Sequence, residues 1–355
     1  MAESTVSRLE AQTPGAEKWM AIWLLVCCAL IFAMVVLGGV TRLTGSGLSI
    51  VEWRPLSGAL PPSDDTAFEE AFRKYQQSPE YGKVNPGMSL DDFKVIFWIE
   101  YAHRLLGRAI GGAFLLPFLY FLATRKLGRD LALKLGAIFL LGGLEGALGW
   151  FMVQSGLIDH PEVSPYRLVA HLGVAVVIYG LILWVALGLL RRPHQETEDR
   201  RVRGLRRLAS AVLALVFVTM LSGGFVAGLN AGLAYNTFPL MDGRLVPREV
   251  FDLEPLVRNF FENVQTVQFD HRLLAVALAV AVPALWLRGR RLELPARTRA
   301  ALHLLLIMVA VQASLGVLTL LLYVPLPLAA AHQAGALALF TSALWLRHEL
   351  KSARA

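Results

Sequence analysis

The chain has 355 residues, of which 55% are hydrophobic and only 17% are charged, and its mean hydropathy is +0.53. A soluble domain of this size carries more charged residues, so the composition excludes a soluble globular protein and indicates a membrane protein surrounded by a lipid bilayer. The net charge is +7, but the basic residues lie in short segments between apolar runs. We therefore expect no nucleic-acid partner.

Eight apolar runs follow one another along the chain. They lie near residues 20–40, 95–123, 135–154, 168–190, 208–228, 266–287, 301–322 and 328–346. A helix of about 20 apolar residues crosses the hydrocarbon core of a bilayer, which is about 30 Å thick. The sequence therefore predicts an all-α membrane protein with eight transmembrane helices.

Basic residues are concentrated after every second apolar run. The segments concerned are 125–134, 191–207, 288–299 and 347–354. Loops rich in Lys and Arg stay on the cytoplasmic side of the membrane. Both termini are therefore predicted to be cytoplasmic, and the long connections at 41–94 and 229–265 are predicted to face outward.

Short motifs recur in the two halves of the chain. Residues 38–39 match 223–224, 101–106 match 269–274, 148–149 match 315–316, and 170–171 match 331–332. Each half has an even number of predicted spans, so the repeat is parallel. We predict two pseudo-symmetric four-helix bundles. Residues 1–190 form the N-terminal bundle, 191–207 a cytoplasmic linker and 208–355 the C-terminal bundle.

Four histidines recur with this repeat, one in each even-numbered run. They are His103, His171, His271 and His332. Each lies within the first two or three turns of its run, so all four are predicted at similar depth in the outer half of the bilayer. A polar side chain inside a membrane is costly and usually functional, and two imidazoles can face each other in a bundle core. The alternative is that each histidine only hydrogen-bonds a neighbouring helix.

Heme is the ligand that two facing histidines suit best. A zinc or copper site needs a third or fourth ligand, whereas heme iron needs only two axial ligands. A small residue follows each histidine by four positions, on the same helix face, which suits a flat macrocycle. These residues are Gly107, Ala175, Ala275 and Ala336. Small residues are also common in packed membrane helices, so this pattern alone does not decide the ligand.

Arg104 and Arg272 directly follow a histidine. A guanidinium group binds carboxylates with two parallel hydrogen bonds, so both residues are candidates for pairing with heme propionates near the outer interface. The alternative is that their side chains extend to the lipid headgroups.

The halves differ at two acidic positions. Glu100 corresponds to Gln268, and Glu145 in the third run corresponds to Gln312. Ionisable carboxyl groups suit proton-coupled chemistry, whereas an electron-transfer or structural heme does not need them. The N-terminal half is therefore predicted to be the reactive one.

Several longer segments together resemble the heme A synthase family, and most closely its proteobacterial and mitochondrial branch. They are residues 39–49, 100–104, 146–157, 236–241, 268–272 and 332–333, in this order. The resemblance implies that the chain oxidises the C8 methyl group of heme O by two successive hydroxylations. The resulting diol then loses water to give the formyl group of heme A, which cytochrome c oxidase requires.

The same resemblance implies roles for particular residues. His271 and His332 hold a resident heme b, whereas His103 and His171 flank heme O, and Glu100 is catalytic. It also implies a multi-pass protein of the bacterial inner membrane with its heme sites toward the periplasm. Heme O synthase is an expected partner, the electron donor is unidentified, and a homo-oligomer is left open.

The chain departs from the family pattern at two places. The outer-loop cysteine pair of Gram-positive members is missing. Glu145 stands where the family pattern has Gln, so its role is open. Two other classes also stay open. One is a membrane cytochrome b that transfers electrons through bis-histidine hemes, and the other is a proton-coupled transporter, which the membrane carboxyls Glu100 and Glu145 would suit.

Overall fold

The computed structural model describes residues 14–52, 57–157, 163–191 and 200–351. Eleven α-helices lie in these ranges: α1 (Pro14–Leu43), α2 (Asp65–Tyr75), α3 (Pro79–Lys83), α4 (Leu90–Ala123), α5 (Arg129–Gly156), α6 (Pro165–Leu190), α7 (Arg200–Gly228), α8 (Asn259–Glu262), α9 (Val264–Gly289), α10 (Ala296–Leu321) and α11 (Leu326–Glu349). The only β-type pairing in the described ranges is one isolated bridge between Met241 and Arg244. The predicted all-α class is confirmed.

Seven of the long helices in the described part of the chain are long and apolar enough to cross a membrane. The prediction of a membrane protein is therefore confirmed. The eighth long helix, α11, has 24 residues but is not among the seven. It contains His332, Gln333 and the polar end Arg347–Glu349, which lower its hydropathy. The count of eight spans stays a prediction.

Each predicted run coincides with one long helix, except that the run 301–322 passes the end of α10 by one residue, and all eight helices begin earlier than the runs do. Helix α4 begins at Leu90 because Ser89 caps it, accepting a hydrogen bond from the Asp92 N–H at 3.2 Å. Helix α7 begins at Arg200, so residues 200–207 of the predicted linker are helical. Arg and Leu are good helix formers, which extends the helix beyond its apolar part. Residues 192–199 of that linker lie outside the described residues.

The long helices pack in two groups of four. In the first, α1 and α5 each contact both α4 and α6; in the second, α7 and α10 each contact both α9 and α11. The groups meet where α6 contacts α7 and where α11 contacts α1 and α6. The division of the chain into two domains stays a prediction.

The contacts α1–α11 and α6–α7 occupy corresponding places in the repeat. At the first, the Gln333 side chain donates a hydrogen bond to the Val35 carbonyl at 2.7 Å, and Gly39 leaves room for that side chain. At the second, Gly224 faces Leu172 instead. The contact between α1 and α11 is therefore polar at this position, whereas the contact between α6 and α7 is apolar.

The connection between α1 and α4 contains the two short helices α2 and α3, which the hydropathy pattern did not predict. A largely aromatic cluster joins this connection to the N-terminal end of α4. It consists of Phe68, Tyr75, Phe93, Ile96, Phe97 and Tyr101, all of them buried. Helix α2 is capped by Asp64, whose side chain accepts from the Ala67 N–H at 2.8 Å. The cluster places residues of the connection next to the histidine-bearing part of α4.

Candidate functional site

The four repeated histidines lie on four different helices: His103 on α4, His171 on α6, His271 on α9 and His332 on α11. The rings of His271 and His332 face each other, with centroids 6.5 Å apart and planes at 85°. His103 and His171 lie on α4 and α6, which correspond in the repeat to α9 and α11. The structure therefore shows one pair of facing rings in the second group of helices and places the corresponding histidines on the corresponding helices of the first group.

Each histidine ring packs against a glycine of the preceding long helix. The pairs are Gly38 with His103, Gly149 with His171, Gly223 with His271, and Gly316 with His332. A Cβ atom at these glycines would lie 3.2, 3.0, 3.1 and 2.9 Å from the nearest ring atom, in the same order. Non-bonded heavy atoms prefer about 3.5–4.0 Å, so only glycine fits without displacing the ring.

This glycine contact was missed from the sequence, although a signal for it was present. Gly38 and Gly223 are equivalent in the repeat, and so are Gly149 and Gly316. A repeated glycine in membrane helices usually marks close helix packing. The structure shows that these four glycines receive the imidazole rings.

Three of the histidines also have a polar side chain next to Nδ1. Glu145 Oε1 lies 2.9 Å from Nδ1 of His171, Gln312 Nε2 lies 3.1 Å from Nδ1 of His332, and Ser222 Oγ lies 3.1 Å from Nδ1 of His271. The Glu145 carboxylate and the Ser222 hydroxyl can each accept from Nδ1–H, which orients the rings of His171 and His271 and leaves their Nε2 atoms to a metal. The Gln312 amide nitrogen can only donate, so its oxygen would have to take the place of its nitrogen at Nδ1 to leave Nε2 of His332 to a metal.

The carboxylate of Glu100 is fully engaged by its neighbours. Oε1 accepts from Nε and Nη2 of Arg104 at 2.9 and 2.6 Å. Oε2 accepts from the Ser49 hydroxyl at 2.7 Å and from the Ile50 N–H at 2.8 Å. Glu100 is only 2% exposed. With these four bonds, the Glu100 side chain ties the connection between α1 and α4 to α4 one turn before His103.

Arg104 and Arg272 both bind backbone carbonyls of the long connections. Arg104 donates to the carbonyls of Ile50 and Glu52 at 2.7 and 3.2 Å. Arg272 donates to the carbonyls of Tyr235 and Thr237 at 2.7 and 2.8 Å. The two residues therefore tie corresponding loops to the helices that carry His103 and His271. Their predicted contact with heme propionates stays a prediction.

The chain matches the model of one known protein family over most of its length. The family model described as cytochrome oxidase assembly protein, COX15-CtaA, matches residues 21–344. The chain belongs to this family.

Named relatives cover nearly the whole chain. A heme A synthase of Nitrosospira multiformis is 60% identical over 98% of both chains. One of Paramagnetospirillum magneticum is 49% identical over 95% of both. The heme A synthase COX15 of Bos taurus is 47% identical over 97% of this chain and 85% of its own. The resemblance inferred from the motifs is confirmed.

The His271–His332 pair of this COX15-CtaA member fits heme. Two imidazole nitrogens bound at about 2 Å to opposite sides of one metal ion place their ring centres roughly 6 Å apart, and the His271–His332 separation is 6.5 Å. Within the described residues, no three His, Cys, Asp or Glu side chains converge as in a zinc site. A pair of imidazoles is the donor set that heme iron uses.

A second buried carboxyl group, Glu80 on α3, lies near Glu100. Glu80 is 5% exposed, and Oε2 has no hydrogen-bond partner within the described part of the chain. Burial and the negative charge of Glu100 raise the pKa of Glu80 to about 7, although a hydrogen bond with Tyr75 opposes this shift. Glu80 gave no signal in the sequence, because it lies in the connection between α1 and α4 and has no counterpart in the repeat.

Proposed function

We propose that this chain is an oxidoreductase that converts heme O into heme A; its relatives are named heme A synthases. The observation that carries the proposal is the pair of imidazoles, His271 with His332, whose rings face each other 6.5 Å apart, together with its repeat in the first group of helices. Each of the two hydroxylations of the C8 methyl group inserts one oxygen atom and oxidises that carbon by two electrons, which an unidentified redox partner exchanges with the chain, and the resulting diol loses water to give the formyl group. The product serves the assembly of cytochrome c oxidase.

The C-terminal pair, His271 and His332, is proposed to hold a resident heme b, which would supply electron transfer. The N-terminal pair, His103 and His171, is proposed to flank heme O. The acidic residues support this assignment, because Glu145 lies next to His171 where Gln312 lies next to His332. Chemistry that moves protons requires groups that titrate.

The arginines and Glu100 have different proposed roles. Arg272 has a buried Nε–H without a hydrogen-bond partner in the described part of the chain, and we assign this N–H to a heme propionate. The Nε–H of Arg104 already donates to Glu100, so it is not available to a propionate. We propose that Arg104 instead positions the loop to which it is hydrogen-bonded. Glu100 was predicted to transfer protons. We propose that its four hydrogen bonds make it chiefly an anchor of the N-terminal site.

We propose a multi-pass protein of the bacterial inner membrane, with cytoplasmic termini and heme sites toward the periplasm. The apolar helices and the basic segments between them support this proposal. Heme O synthase is the proposed source of the substrate, and the electron donor is unidentified.

The function is tested in a strain that makes heme O but no heme A. After expression of the chain, hemes are extracted and separated by chromatography, and the purified protein is examined by absorption spectroscopy. We expect heme A in the extract and low-spin heme b in the protein. Bound heme without heme A would favour the cytochrome b alternative, and a protein free of heme would favour a transporter.

The assignment of the resident heme has its own test. In His271→Ala and in His332→Ala, we expect loss of the low-spin heme b spectrum and a lower unfolding temperature, because a ligand bound only by the folded state stabilises that state. A variant purified with full heme b and an unchanged spectrum would refute the assignment.

A further inference from the structure

The residue next to Nδ1 differs between the two halves at one repeated position. On α5, Glu145 Oε1 lies 2.9 Å from Nδ1 of His171. On α10, Gln312 Nε2 lies 3.1 Å from Nδ1 of His332. Both residues precede the ring-backing glycine of their helix by four positions, so they lie on the same helix face as that glycine. At the same position of the repeat, the histidine Nδ1 thus contacts a carboxyl group in the first half and an amide in the second.

The surroundings of Glu145 give it no other strong partner. Its side chain is 15% exposed, and His171 is its only ion-pair partner in the described part of the chain. Its Oε2 is buried without a hydrogen bond, and its contact with Nδ1 is close but not aligned as a hydrogen bond. Gln312, in contrast, also donates to the backbone carbonyl of His332 at 3.0 Å, which fixes its amide.

A carboxylate and an amide act differently on a metal-binding imidazole. A carboxylate facing Nδ1–H draws the proton toward itself and makes the ring a stronger electron donor through Nε2. A stronger donor stabilises the oxidised form of the bound metal. A neutral amide orients the ring but changes its basicity much less.

We propose that Glu145 is a positioning residue that makes His171 a stronger ligand than His332, so that a heme on the N-terminal pair has a lower reduction potential than the heme on the C-terminal pair. The identity of the ligand rests on the proposed function. The difference between the two sites itself rests on the contacts of Glu145 and Gln312.

The reciprocal exchange of the two residues tests this inference. Gln312→Glu places a carboxyl group behind His332, and its effect is read from a spectroelectrochemical titration of the resident heme b in the purified protein. We expect the ratio of ferric to ferrous heme at a fixed potential to rise by about tenfold or more, which is about 59 mV for a one-electron couple. The Glu145→Gln protein is the control, since its C-terminal site is unaltered.

A second measurement uses the Glu145→Gln protein. It tests the inference even if the Gln312→Glu protein fails to retain heme. Heme O added to this protein should bind with a higher reduction potential than heme O in the unsubstituted protein. Unchanged potentials with full heme content would overturn the inference. If the potentials shift as expected but the unsubstituted protein forms no heme A, the inference about Glu145 is upheld and the proposed function is refuted.

Discussion

The contact between Gly316 and His332 allows a sharp test of the proposal that His332 holds a resident heme. A Cβ atom at Gly316 would lie 2.9 Å from Cε1 of His332 and 3.5 Å from Nδ1. The ring cannot simply turn away, because Gln312 contacts its Nδ1 at 3.1 Å. In Gly316→Ala, either the ring or α10 must therefore move.

The size of the effect follows from the overlap. Since non-bonded carbon atoms prefer about 3.5–4.0 Å, a contact at 2.9 Å requires a shift of more than half an ångström. Such overpacking costs about 1–3 kcal/mol. If the shift appears in the position of Nε2, the affinity for heme b falls by roughly 5- to 150-fold, because 1.4 kcal/mol is a factor of ten.

The assay is the amount of heme b per protein after purification, together with the low-spin spectrum and the unfolding temperature. Gly204→Ala is the matched control, because Gly204 is also in a helix of the second group and a Cβ atom there meets nothing within 4 Å. Alanine favours a helix by about 0.5–1 kcal/mol over glycine, so a loss in Gly316→Ala cannot come from the backbone. Full heme b and an unchanged spectrum in Gly316→Ala would refute the reasoning.

Three further predictions concern the outer connection and the topology. The pKa of Glu80 is raised from 4.5 to about 7, so between these values the folded state binds more protons, and the free energy of unfolding falls by about 3 kcal/mol as pH rises. Glu80→Gln should abolish this fall in thermal unfolding followed against pH, whereas Glu69→Gln, on the exposed surface, should keep it. Glu100→Gln should keep heme b but accumulate heme O, and wild-type heme A in extracts would contradict this. Reporter fusions should be cytoplasmic near Arg200 and periplasmic near Asp65; the reverse would overturn the orientation.

Hydropathy and the internal repeat were enough to predict the long helices and the four histidines. Apolar length decides where a helix crosses the bilayer, and the repeat singled out His103, His171, His271 and His332 from the other four histidines. The short helices α2 and α3 were not predicted, because amphipathic segments of 11 and 5 residues give no membrane signal. Their fold depends on the aromatic cluster against α4.

The hydrogen bonds of Glu100 show what the sequence could not provide. Its position three residues before His103 was visible, but two of its partners, Ser49 and Ile50, come from a connection more than 40 residues away. Only the packing of that connection shows that both oxygens are occupied. A proton-transfer role had to be inferred from residue type, whereas the geometry indicates an anchor.

The two crossings between the helix groups connect the histidine sites to the fold. Gln333 follows His332 and contacts α1 beside Gly39, which follows the glycine that receives His103. Leu172 follows His171 and packs on Gly224, which follows the glycine that receives His271. Helices in a membrane associate through close packing of small residues and hydrogen bonds rather than through a hydrophobic drive. The residues in contact between the two helix groups are therefore adjacent in sequence to the histidines and to the glycines that pack against them. The interface between the groups thus fixes the position of one histidine site relative to the other.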